Sequence, residues 1–152
     1  MEFRDYQIEI IDKGCKVLKD NGLLYLSMEV RTGKTLTSLG ICEKIGVSNV
    51  LFITKKKAIS SITADYNMMA PKFNIHIINY ESLHKIPKTR WDIIICDEAH
   101  SMGALNKPNK RAKMVKELIQ VNDCMLILMS GTPTPESFSQ MYHQVYGHPN
   151  NP

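Results

Sequence analysis

The chain opens with apolar positions at helical spacing, Ile8, Ile11, Cys15 and Leu18, with charges between them. That pattern predicts a helix over 5–20, stopped by Asn21-Gly22. A short apolar run over 23–28 predicts a buried strand, and helical character resumes over 34–45 until Gly46. Further apolar runs predict strands over 49–54, 73–80, 91–96 and 124–129. Ile59, Ile62, Tyr66 and Met69 mark another amphipathic helix, ended by Pro71. A helix is predicted over 110–120, and a last one over 135–146 carries Phe138, Met141, Tyr142 and Val145 on one face. Between these lie a short basic connector over 81–90 and a loop over 101–109 containing Gly103, Asn106, Pro108 and Asn109. Residues 148–152 form a tail without pattern, and the chain carries no internal repeat and no low-complexity segment.

Strands alternate with helices, and the strands are continuous apolar runs. Both facts predict an α/β fold in three layers, a mainly parallel sheet covered by helices on both faces. Ligands of such sheets bind beyond the C-terminal ends of the strands. Three polar segments directly follow predicted strands: Met28 to Thr35, Asp97-Glu98, and Ser130-Gly131-Thr132. All three should gather on one sheet edge.

Composition changes this picture little. The 152 residues are 43% hydrophobic and 22% charged, which suits one domain with a real core. A net charge of +4 permits a polyanionic partner without requiring one. Cys15, Cys42, Cys96 and Cys124 have no close pairing, so they read as small core residues rather than a zinc knuckle or disulfide framework. The N-terminus is too polar for a signal peptide, and no apolar run approaches a bilayer-spanning length. The expected protein is soluble, with no membrane partner, and cytoplasmic.

The candidate chemistry lies in the three segments at the strand ends. A strand, a loop ending in Gly33-Lys34-Thr35 and a helix have the layout of a phosphate-binding P-loop, in which backbone N–H groups and a helix N-terminus face the phosphates. Met28 stands where that pattern has a glycine. Lys34 is the candidate cation and Thr35 a candidate Mg²⁺ ligand. Asp97, ending a buried strand, is a candidate direct or second-sphere Mg²⁺ ligand, and Glu98 can align and deprotonate an attacking water. Taken singly, Asp97-Glu98 reads as a solvated acidic turn; after an Ile-Ile-Ile strand, in a chain that also has Gly-Lys-Thr after a strand, the catalytic reading is favoured.

Asp97-Glu98-Ala99-His100 with Gly33-Lys34-Thr35 resembles the first RecA-like domain of a superfamily 2 helicase or translocase. Within that superfamily the chain is most similar to the Swi/Snf-like branch and to phage helicases of that type. Arg4-Asp5-Tyr6-Gln7 resembles the adenine-recognition motif, and Val30, Arg31 and Thr32 fall in the phosphate loop. Phe52-Ile53-Thr54-Lys55 and Asn79-Tyr80-Glu81-Ser82-Leu83 resemble motifs that contact a nucleic-acid backbone, which implies Thr54, Lys55, Lys56, Tyr80 and Ser82 as contacts. His100-Ser101 through Asn106-Lys107 resembles the loop that follows the DEAH box in the Swi/Snf-like branch. Ser130-Gly131-Thr132-Pro133 resembles the motif that couples ATP state to nucleic-acid binding, and His100 would link it to the ATP site.

The resemblance implies a RecA-like domain over 1–147, binding Mg-ATP and a DNA backbone, double-stranded DNA being favoured over RNA. It also implies a second RecA-like domain, in cis in a longer chain or in trans, that supplies arginine fingers. Arg31 departs from the glycine common in the Swi/Snf-like branch. Other readings stand beside this one. Gln7 can be an ordinary surface residue, and Lys55-Lys56-Lys57 a solvated helix start. The whole chain can be a nucleotide-binding regulatory module without motor activity, or, more remotely, a small P-loop kinase. His76, His84, His143 and His148 lack ligand spacing, and Trp91 and the methionines read as core.

Overall fold

The computed structural model describes residues 2–27, 33–98 and 110–130. Its helices are α1 (Asp5–Asn21), α2 (Lys34–Ile45), α3 (Ile59–Met69) and α4 (Lys110–Asn122). Its strands are β1 (Leu23–Ser27), β2 (Asn49–Thr54), β3 (Asn74–Asn79), β4 (Ile93–Cys96) and β5 (Met125–Ser130). The predicted helix over 135–146, the loop over 101–109 and the tail lie outside the described residues. So do Met28, Val30, Arg31, Thr32, His100, Gly131 and Thr132.

All five strands pair in parallel, in the order β1-β5-β4-β2-β3. Alternate side chains of these apolar strands build two separate cores. Leu24, Leu26, Val50, Phe52, Ile93, Ile95, Ile127 and Met129 pack against α1, α2 and α3. Leu23, Leu51, Ile53, Ile94, Cys96, Leu126 and Leu128 face the opposite layer, which holds Val115 and Ile119 of α4. The crossovers that step from β1 toward β3 carry their helices on the first face. The return through β4 to β5 carries α4 on the second, as right-handed crossovers demand. The expected parallel sheet covered on both faces is therefore present.

Two helices meet closely on the first face. A Cβ added at Gly14 of α1 would lie 2.8 Å from Ile41 Cδ1, and one at Gly40 of α2 would lie 2.7 Å from Ile11 Cδ1. An exposed ion pair between Lys44 and Asp12 joins the same helices. This contact holds α2, whose first residues Lys34 and Thr35 end the candidate phosphate loop, against α1.

The sequence reading needs correction on β3 and the connector after it. β3 ends at Asn79, and Tyr80–Lys85 form a 3₁₀ helix rather than a plain connector. Tyr80 and Leu83 are both buried, and a three-residue turn brings positions i and i+3 to one side. Polar neighbours hide that spacing in the sequence. Trp91 and Asp92 lie outside β4. The Trp91 N–H donates to Asn122 Oδ1 at 3.0 Å, and the Asp92 carboxylate accepts from the N–H groups of Ser48 and Asn49 at 3.1 and 2.9 Å. Among the described residues, no helix is long and apolar enough to cross a membrane.

Candidate nucleotide site

The parallel register pairs Ser27 with Ser130, and Cys96 with both Leu128 and Ile53, so β1, β5, β4 and β2 all end at the same edge of the sheet. Asp97 extends β4 by one rung, its N–H donating to the Ile53 carbonyl at 2.8 Å. The carboxylate of Asp97 is buried, with 5% of the residue exposed, and it has three neighbours. Oδ1 lies 3.2 Å from Lys34 Nζ and accepts the Glu98 N–H at 2.9 Å. Oδ2 accepts the Thr54 hydroxyl at 2.9 Å. The Tyr80 hydroxyl donates to the Asp97 carbonyl at 2.7 Å. Burial of a carboxylate is costly unless it is paired and hydrogen-bonded, and here an ammonium, a hydroxyl and a backbone amide supply that. β5 lies between β1 and β4, so this ion pair joins the start of α2 to the end of a strand that is not a sheet neighbour of β1.

On the other side, Gly33 precedes α2 with φ +75°. A Cβ there would lie 2.5 Å from Gln7 Nε2. Only glycine combines that dihedral with so close a neighbour. Gln7 is buried rather than at the surface: its Oε1 accepts the Arg4 N–H at 3.0 Å, and its Nε2 faces Thr37 Oγ1 at 3.5 Å. The Thr37 hydroxyl in turn donates to the Gly33 carbonyl at 2.9 Å. Gln7 is thus seated on the glycine of the candidate phosphate loop, a contact that spacing alone could not reveal. Arg4 is exposed at the start of α1.

A cleft of about 440 Å³ opens between these groups, lined among others by Gly33, Lys34, Thr35, Lys55, Asp97 and Glu98. The first N–H groups of α2 have no partners within their own helix and point along its axis. Lys34, Thr35, Asp97 and Glu98, predicted to act together, do line one cavity. Among the described residues, no three His, Cys, Asp or Glu side chains gather as a metal cage. A hydroxyl and one carboxylate beside a phosphate site are instead what Mg²⁺ needs when it arrives with phosphates and keeps several waters. The donors present fit that group.

Glu98 has φ +55°, an unusual backbone for a non-glycine residue, and its Oε1 lies 3.5 Å from Lys55 Nζ. The cleft also holds Asp65 of α3, which the sequence reading missed because it follows no motif. Burial raises its carboxyl above the usual value. At the end of β5, Ser130 is buried and its side chain is hydrogen-bonded to Tyr25, whose hydroxyl is raised mainly by burial. Its predicted coupling partners, His100, Gly131 and Thr132, are outside the described residues.

The candidate nucleic-acid contacts divide. Lys55 and Lys56 are exposed and Ser82 is half-buried, whereas Thr54 and Tyr80 are buried with their hydroxyls turned onto Asp97. These two side chains hold the acidic strand end and are not surface contacts, contrary to expectation; a polar residue at a strand end is ambiguous in sequence. Cys15, Cys42 and Cys96 are buried, as expected, and burial pushes their thiols up; that of Cys124 rises to about 12.

The SNF2-related domain family matches residues 46–145, about two thirds of the chain. The chain belongs to the SNF2-related family. The type III restriction enzyme res subunit family matches residues 1–70, so the two matches together span Gly33-Lys34-Thr35 and the Asp97-Glu98 turn. No curated protein is similar to this SNF2-related chain by sequence. Among solved structures, the SWI2/SNF2 ATPase core of Sulfolobus solfataricus in complex with double-stranded DNA superposes with a TM-score of 0.73 at 16% identity, covering 95% of this chain and 36% of that one. The same archaeal core domain solved separately gives 0.72 at 19% identity, covering 95% and 34%. A nuclease-deletion mutant of the type ISP restriction-modification enzyme LlaGI, in complex with a DNA substrate mimic, gives 0.62 at 18% identity, covering 88% and 18%. These likenesses show the RecA-like fold, the family models place the chain in the Swi/Snf-like branch of superfamily 2, and the chain spans about a third or less of the solved chains it matches.

Proposed function

We propose that this chain is the ATP-binding half of a nucleic-acid-dependent ATPase motor, a helicase or double-stranded DNA translocase, with residues 1–147 as its first RecA-like domain. The observation that carries the proposal is Lys34 lying 3.2 Å from Asp97, in one cleft with Gly33, Thr35 and Glu98. Family membership supports the same reading.

Lys34 and the first N–H groups of α2 would hold the phosphates of ATP, and Gln7 would sit at the adenine side. Mg²⁺, held by Thr35 and Asp97, would neutralise charge that develops on the phosphates. Thr54 and the Glu98 N–H keep the Asp97 carboxylate oriented. Glu98 would accept the proton of the attacking water. Lys55, Lys56 and Ser82 would meet the DNA backbone; Thr54 and Tyr80 support the acidic turn instead. Arginine fingers from a second RecA-like domain, in cis or in trans, would complete the site; such groups contribute about 10³ to 10⁵ in turnover in related P-loop enzymes. The chain by itself should therefore hydrolyse ATP feebly.

The test is ATP turnover with double-stranded DNA, by this chain alone and together with a second RecA-like domain. Feeble turnover alone, strong turnover when completed, and its loss in Glu98→Gln with nucleotide binding retained would support the motor. Nucleotide binding with no DNA binding and no turnover in either form would favour a regulatory nucleotide-binding module.

A further inference from the structure

The cleft holds two lysines near two adjacent carboxylates, and they pair off unequally. Lys34 is on Asp97 at 3.2 Å with side-chain exposures of 11% and 7%. Lys55 is on Glu98 at 3.5 Å with side-chain exposures of 47% and 28%. The first pair is enclosed, while the second stands where a polyanion in solution can reach the lysine. β2 and β4 are neighbours, so Lys55, just past β2, and Glu98, two residues past β4, are held on the same rim.

Lys55 therefore has two anionic claimants. One is the Glu98 carboxylate it touches. The other is the nucleic-acid phosphate assigned to it under the proposed function, on which this inference rests. A single ammonium cannot serve both fully, and a carboxylate oxygen engaged by an ammonium is less available to take a proton from water.

We propose that Lys55 is an exchangeable cation, held by Glu98 in the absence of nucleic acid and drawn off by a backbone phosphate when DNA binds, so that DNA frees the carboxylate that activates water. Lys55 is then a positioning residue, acting through Glu98. The exchange makes hydrolysis respond to DNA through one side chain, without a larger rearrangement of the sheet. No bond is made or broken in the exchange itself; an ion pair is traded for a charge-assisted hydrogen bond to phosphate.

Competition for one group has a reciprocal consequence that binding alone can read. If Glu98 holds Lys55, then removing the Glu98 charge must tighten DNA binding, and the part of that gain that runs through Lys55 must vanish when Lys55 is replaced. The experiment is a double-mutant cycle on the affinity of the chain for a short labelled double-stranded DNA at low salt. Glu98→Gln should tighten binding by about two- to fivefold, the scale of an exposed ion pair. Lys55→Gln should weaken it, and adding Glu98→Gln to Lys55→Gln should change nothing further. Lys55→Arg, which keeps the charge, should preserve the response to Glu98→Gln.

Equal tightening by Glu98→Gln in both backgrounds would mean general charge repulsion and would overturn the exchange while leaving the phosphate contact intact. No tightening in the wild-type background would overturn it as well. If Lys55→Gln binds DNA as the wild type does, the Lys55 phosphate contact itself is wrong and the exchange falls with it, while the contacts assigned to Lys56 and Ser82 stand or fall separately.

Discussion

Replacing Thr54 with Val separates the two roles open to that residue. Valine keeps the shape and β-branching of threonine, so the packing of β2 should survive. What is lost is the hydroxyl that donates to Asp97 Oδ2 at 2.9 Å, in a residue with no exposure. A hydrogen bond to a charged group contributes about 1.5–3 kcal/mol, and no water from the surface can replace this one. Asp97 would keep Lys34 and the Glu98 N–H, so the carboxylate would not be left without partners. The expected cost is therefore about 1.5–3 kcal/mol, a fall in melting temperature of roughly 3–12 °C for a chain of this size. Urea unfolding of wild type and Thr54→Val would measure it, with double-stranded DNA titration alongside. DNA affinity should change little, because the hydroxyl is inside. Stability within about 0.3 kcal/mol of wild type, combined with a clear loss of DNA affinity, would refute the buried role and return Thr54 to the surface contacts.

Gly33→Ala should destabilise the chain by at least 1–2 kcal/mol from the dihedral alone, φ +75°, and more from the contact of its Cβ with Gln7 Nε2. Adding Gln7→Ala should recover only the contact part; full recovery in thermal unfolding would show that the dihedral is not constrained. Asp65 has a carboxyl raised by burial, so its contribution is fully present below the unfolded value near 3.8 and is lost as pH rises through the higher folded value. Asp65→Asn should accordingly melt higher than wild type at neutral pH, the gap closing in acid; an equal gap at both pH values would contradict the assignment.

The sheet was legible because its strands are short continuous apolar runs, Val50-Leu51-Phe52-Ile53 and Ile93-Ile94-Ile95 among them. The same continuity hid which side chains face which core, since every position is apolar. Strand order was also hidden: β5 lies between β1 and β4 only because of long-range pairing. At the candidate site, residue types pointed to Lys34, Thr35, Asp97 and Glu98, because phosphate chemistry requires a cation, a hydroxyl and carboxylates, and the fold brings these four to one cleft. They could not give the partners of those groups. Thr54 and Tyr80 looked like surface contacts because hydroxyl residues at strand ends serve either purpose, and only their depth separates the two. The contact of Gln7 with Gly33 left no mark in the sequence, because it depends on how α1 crosses α2. Asp65 belongs to no motif and became visible only when α3 folded over the cleft.

The central claim is that Lys34, Asp97 and the start of α2 form a phosphate site. A fluorescent ATP analogue titrated with Mg²⁺ into wild type and Lys34→Ala tests it most directly, with circular dichroism to confirm that both are folded. The account predicts saturable binding by the wild type and a loss of at least tenfold in Lys34→Ala, because the cation facing the phosphates is gone. Equal affinity in two folded proteins, or no binding by the wild type, would contradict it.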